Sequence, residues 1–155
     1  MPVLVEHIAE PPLNALIWLG RVTRAQALAM PAAINPAQPQ FGARWISYFD
    51  ATADLSDMDA ACLIELRERL RPVVVGLAAK GRFQMVLASN STFNDFLIAA
   101  WRAMVGPDSS YPSDPVIVRD LDSAARALGL SPGEAQQARL WIEARVAQAL
   151  RAPGS

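Results

Sequence analysis

The sequence predicts an α/β protein: a mixed, largely parallel sheet that opens with an antiparallel strand pair, helices packed on it, and one extra helix at the C-terminal end. Three features point there. Between Arg44 and Asp59 an apolar run (Trp45, Ile46, Tyr48, Phe49) stops at Asp50, crosses an acidic turn and restarts as a helix behind Ser56. That is the strand-to-helix unit that repeats along an α/β sheet. A second such run, Phe83 to Ala88, again leads into a helix, and a parallel neighbour requires a crossover of that kind. The opening residues instead offer two short apolar runs on either side of Pro11-Pro12.

Taken in order, Val3 to Ile8 alternates apolar and polar positions and ends at prolines that cannot continue a ladder, which suits an edge strand. Leu13 to Leu19 pairs with it around the Pro-Pro turn and closes at Gly20. Thr23 and Gln26 have capping-box spacing, so a short helix is expected to about Met30. Pro31 to Gln40 has loop composition. After the strand at Arg44 to Asp50, Ser56 and Asp59 repeat the capping spacing, and Met58, Cys62, Leu63, Leu66 and Leu70 form the buried stripe of a helix to about Arg71.

Pro72 to Ala79 admits two readings. Its valines suit a strand, while Pro72 can open a helical turn; a helix kinked at Pro72 is preferred because the parallel crossover needs one. Ser89 to Thr92 supplies caps for a helix over about 92–105 that is apolar nearly all round and therefore expected to be covered on two sides. A short strand at Val116 to Val118 precedes a helix capped by Asp122 and ended by Gly129. Ser131, Pro132 and Glu134 then begin a last helix running to about Leu150.

At 155 residues, 52% hydrophobic and 19% charged, the chain suits one folded domain with an appendage, 1–130 followed by a helical extension at 131–155. Its net charge of -1 offers no positive field for phosphates, so nucleic acid is not an expected partner. Cys62 is the only cysteine and cannot form an internal disulfide. The start MPVLVEHIAEPP has no signal-peptide pattern, so the cytoplasm is expected. No apolar window of about 18 residues is present to span a bilayer.

The step Gly20 to Thr23 (GRVT), the strand ending Phe49-Asp50, the strand FQMVLAS (Phe83 to Ser89) and the closing VRDLDSAARALGL (Val118 to Leu130) resemble the stand-alone bacterial STAS-like domains, the sulfate-transporter and anti-sigma-factor-antagonist fold. The similarity spans roughly 1–130. It implies a regulatory or ligand-binding module without chemistry of its own, expected to work by binding a protein partner or a small apolar, lipid-like molecule. Phosphorylatable members of that family carry a serine in an Asp-Ser-Ser/Thr-Gly pattern at the helix after the third strand. Ser56 occupies the corresponding place but lies in DLSDMD, without the paired hydroxyl or glycine, and Asp54, Asp57 and Asp59 oppose a phosphate there.

Ligands of open parallel sheets sit beyond the carboxyl ends of the strands, which draws attention to Asp50, Thr52, Asp54 and Ser56 beside Asn90, Ser91, Asn94 and Asp95. They are read either as turn and cap residues or, in the rival enzyme reading, as Asp50 and Asp54 holding a hard cation. No catalytic residue, metal set or cofactor site is otherwise expected, since His7 is the only histidine and falls on an edge strand as a solvated side chain. Cys62 falls on a buried stripe. The helix bearing Phe93, Phe96, Leu97, Trp101 and Met104 is read either as core or, with Trp141 or Ile142 of the last helix, as a homodimer seam or the wall of a pocket for a small apolar molecule.

Overall fold

A computed structural model describes residues 2–152. Five strands, β1 (Val3–Ile8), β2 (Leu13–Trp18), β3 (Arg44–Phe49), β4 (Gln84–Ser89) and β5 (Val116–Val118), form one sheet in the order in which they occur. β1 and β2 are antiparallel; every later pairing is parallel. The helices are α1 (Arg24–Ala29), α2 (Ala60–Ala78), α3 (Asp95–Val105), α4 (Leu121–Ala127) and α5 (Pro132–Arg151), with a 3-10 turn at Met30–Ala33.

Strand alternation and strand order divide the helices between two faces. On one face Leu16, Trp18, Trp45, Phe49 and Leu87 pack with buried residues of α1, α2 and α3. On the other, Ala15, Ile17, Ile46, Val86 and Ala88 pack with α4 and α5. The division follows from topology: β2 to β5 advance in a single direction across the sheet, and crossovers of one hand then fall on one face. The remaining face is left for the helices after β5. There α5 presents Ala135, Ala138, Ile142, Val146 and Ala149, mostly small side chains that let the helix lie close to the strands.

Several local expectations hold. The Thr23 capping box opens α1, and Ser131 with Glu134 forms another at the start of α5. α2 runs through Pro72 to Ala78, so the helical reading of Pro72 to Ala79 describes this chain. Within it, Gly76 lies where a Cβ would come 2.8 Å from Cβ of Pro36, which lets the loop after α1 pack against the helix.

Three helix starts differ from expectation. α2 begins at Ala60 with Asp59, not Ser56, as its cap: the Asp59 carboxylate accepts from the Cys62 N–H at 2.8 Å. α3 begins only at Asp95, because Asn94 turns its side chain to another loop instead of capping its own helix. α4 is capped by Asp120, which accepts from the Ser123 N–H at 2.7 Å, and Asp122 lies in its first turn. Each offset is within one turn, the distance over which neighbouring polar residues compete for the same unpaired N–H groups.

Candidate functional site

At the carboxyl ends of the parallel strands the loops are stitched to one another. Gly20, at φ +56, offers its carbonyl to the Asp54 N–H at 2.8 Å and its own N–H to the Thr52 hydroxyl at 3.0 Å. The Asn94 amide crosses from the β4–α3 loop, donating to the Ala53 carbonyl at 2.9 Å and accepting from the Leu55 N–H at 3.2 Å. Asn94 is only 2% exposed, so it fixes the β3–α2 loop from inside.

Asp50 and Asp54 are engaged in local turns. Asp50 Oδ2 accepts from the Thr52 N–H at 3.0 Å and its hydroxyl at 2.6 Å, while Asp54 Oδ1 accepts from the Ser56 N–H at 2.9 Å. Hydrogen bonds from Ser56 hold the Asp54 carboxyl below its ordinary pKa. Ser56 itself is exposed and precedes the α2 cap by three residues, away from the helix terminus that a phosphate would use. Ser91 Oγ accepts from the Phe93 N–H at 3.2 Å, its carbonyl takes the Ser89 hydroxyl, and Asn90 is exposed. Among the described residues no three His, Cys, Asp or Glu side chains come together as a metal-ligand set.

A different feature lies beneath α2. Between the first sheet face and α2 and α3 there is a cavity of about 80 Å³. Its origin can be read from β3, whose residues on that face are Trp45, Ser47 and Phe49. Ser47 pairs in register with Leu16 on one side and Leu87 on the other, so a small side chain sits at the centre of a floor ringed by large ones. Trp18 stacks on Phe49 with centroids 5.4 Å apart and donates its indole N–H to Ser47 Oγ at 2.8 Å. These bulky rings hold the helices off the short serine, and the space left over is the cavity.

Its walls come from many elements: Leu63, Leu66, Leu70, Val74 and Leu77 of α2, Leu97, Ile98 and Trp101 of α3, and Tyr111 and Ser113 of the loop before β5. No acidic or basic side chain lines it; Ser47, Tyr111 and Ser113 supply the hydroxyls. Tyr111 meets Trp101 edge-on, centroids 6.0 Å apart, and burial pushes its phenol pKa up, keeping it a neutral group. Neither a family model nor a curated protein matches this chain.

The apolar residues named from sequence separate in space. Leu97 and Trp101 line the cavity, and Met104 packs against the same core without reaching it. Phe93 and Phe96 lie outside, 65% and 84% exposed, so α3 is not covered on two sides within one chain. Trp141 and Ile142 belong to the opposite face of the sheet, and Ile142 is fully buried there. They cannot share a wall or a seam with α3 in one chain, because the sheet stands between them. Cys62 is fully buried in the first core, where burial raises its thiol pKa, and His7 is exposed.

Proposed function

We propose that this chain is a non-catalytic STAS-like module that binds a small, uncharged apolar molecule between its sheet and α2. The observation that carries the reading is the cavity around Ser47, walled by apolar side chains with three hydroxyls and no charge. Dry apolar cavities of roughly 150 Å³ accept a benzene-sized guest. At about 80 Å³ this one takes a few carbons of an alkyl chain as it stands and, with modest give in the walls, a benzene ring. An anionic head group has no partner inside and is excluded by its desolvation cost.

The test is a titration of the protein with benzene, followed by NMR. Saturable shifts are expected at residues of β3, β4 and α2 that line the cavity. Val74→Phe, which places a ring into the space, should abolish them, and the milder Val74→Leu should weaken them. If the wild-type protein gives no saturable shift, the reading is wrong.

The exposure of Phe93 and Phe96 favours a further element of the same reading, that the module works as a homodimer through the N-terminal end of α3. Light scattering at micromolar concentration should then return twice the chain mass, and Phe96→Glu should halve it. A monomer mass for the wild type rejects the dimer and leaves the cavity proposal standing. No helix among the described residues is long and apolar enough to cross a membrane.

A further inference from the structure

One wall of the cavity belongs to no regular element. Residues 106–115 join α3 to β5, and two of them, Tyr111 and Ser113, face the cavity. The bonds inside this segment are all short-range. The Tyr111 N–H donates to the Asp108 carbonyl at 3.0 Å, the Ser113 N–H to the Tyr111 carbonyl at 2.7 Å, and Asp108 Oδ1 accepts from the Ser110 N–H and hydroxyl. No ladder or helix turn fastens it, whereas the other walls are sheet and helix, held by backbone hydrogen-bond networks in addition to core packing. If anything moves to admit a guest, this segment moves at the lowest cost.

Besides the buried ring of Tyr111, a polar tie to α2 holds it down. Arg71 of α2 reaches across, Nη2 donating to Asp108 Oδ2 at 3.0 Å and Nη1 to the Ser110 hydroxyl. Glu68, one turn back, aims the guanidinium by accepting from the same Nη2 at 2.8 Å. The Arg71 and Asp108 side chains are 24% and 19% exposed, so the pair is shielded more than an ordinary surface ion pair. Arg71 also stands next in sequence to Leu70 and close to Val73 and Val74, all three in the cavity wall. The tie therefore sits where α2 meets the segment.

We infer that residues 107–115 form a lid over the apolar cavity, latched to α2 by the Arg71 guanidinium on Asp108 and Ser110. The inference rests on the cavity being a ligand site, and it adds the route by which the site fills. With the latch closed, Tyr111 packs against Trp101 and shuts the cavity at that side. With it released, the segment swings on its own short-range bonds, while the sheet and α2 stay in place.

The experiment measures benzene exchange by NMR in the full chain, comparing wild type with Arg71→Met, the near-isosteric Asp108→Asn, and Arg69→Met as a control. Arg69 lies on the same helix but bonds only Glu65 and the Leu28 carbonyl, away from the lid. Both latch variants should exchange benzene about ten-fold faster than wild type, chiefly through release. Amide hydrogen exchange should quicken at Tyr111 and Ser113 and stay unchanged in β3, the mark of local opening. Latch variants that exchange benzene no faster than Arg69→Met overturn the lid and leave the cavity reading intact. A wild-type protein that takes up no benzene at all removes the cavity as a site, and the lid with it.

Discussion

Ser47 is a short hydroxyl among large rings, and two properties of the molecule depend on it. It leaves the space above β3 unfilled, and it satisfies the buried indole of Trp18. Replacing it with alanine keeps the space but leaves the Trp18 N–H without an acceptor, so Ser47→Ala should cost about 1–3 kcal/mol, read as a shift in the urea midpoint at constant slope. A neutral result would show that the hydrogen bond carries no net stability. Neither role can be inferred from the string WISYF alone, where the serine looks like one polar position in an apolar strand. Its importance arises from Leu16 and Leu87 on the neighbouring strands and from the helix above. The acidic residues gave the opposite impression. Asp50 and Asp54 stand out in sequence, yet one oxygen of each is taken up within its own turn, as short polar side chains commonly do.

Among the elements, strands were more legible than helix starts. Apolar runs with sharp polar, proline or glycine ends marked β1 to β5 to within a residue or two, since they are too short for most helices and are bounded by residues that break a ladder. The helix through Pro72 followed from topology, because parallel neighbours β3 and β4 need a crossover. Caps were harder to place. In Leu55 to Asp59 both Ser56 and Asp59 can accept from an N–H three residues on, and a local turn and a tertiary contact decide: Ser56 N–H goes to Asp54 while Arg24 pairs with Asp59 at 3.2 Å. The two caps are separable by mutation. Asp59→Ala should destabilise the protein by about 1 kcal/mol, and Ser56→Ala should change it by less than about 0.5 kcal/mol. Thermal unfolding of both variants checks this, and equal losses would put the helix start back at Ser56. The cavity, by contrast, was hidden at this scale. Each of its walls reads as ordinary helix or strand core, and only Leu97 and Trp101 drew notice, for belonging to an unusually apolar helix.

For the molecule as a whole, acid should act on many small ties at once. Asp54, Glu68, Asp95, Asp108, Asp120 and Glu134 all have lowered pKa values, Asp95 through the Arg119 fork at 2.8 and 2.9 Å, Asp120 and Glu134 through N–H groups at helix starts, and Asp108, at about 2, through Ser110 and then Arg71. A carboxyl whose pKa is lower folded than unfolded stabilises the fold fully above about pH 4, and that stability disappears as pH falls through the folded value. The melting temperature should therefore fall between about pH 4 and pH 2, with the Asp108 share lost last. The measurement is circular dichroism melting across that range. A melting temperature unchanged at pH 2.5 would mean that these bonds do not distinguish the folded chain from the unfolded one.

The two-faced sheet also sets a timetable for a chain made from its N-terminal end. α1, α2 and α3 emerge between the strands they cover, so the first face is roofed as it grows. Ile17, Ile46 and Val86 on the reverse wait until residues 121–151 have left the ribosome, holding an oily surface open to water through most of synthesis. A nascent chain stalled before α5 should accordingly recruit holdase chaperones to that bare side, and release them when the final helix docks.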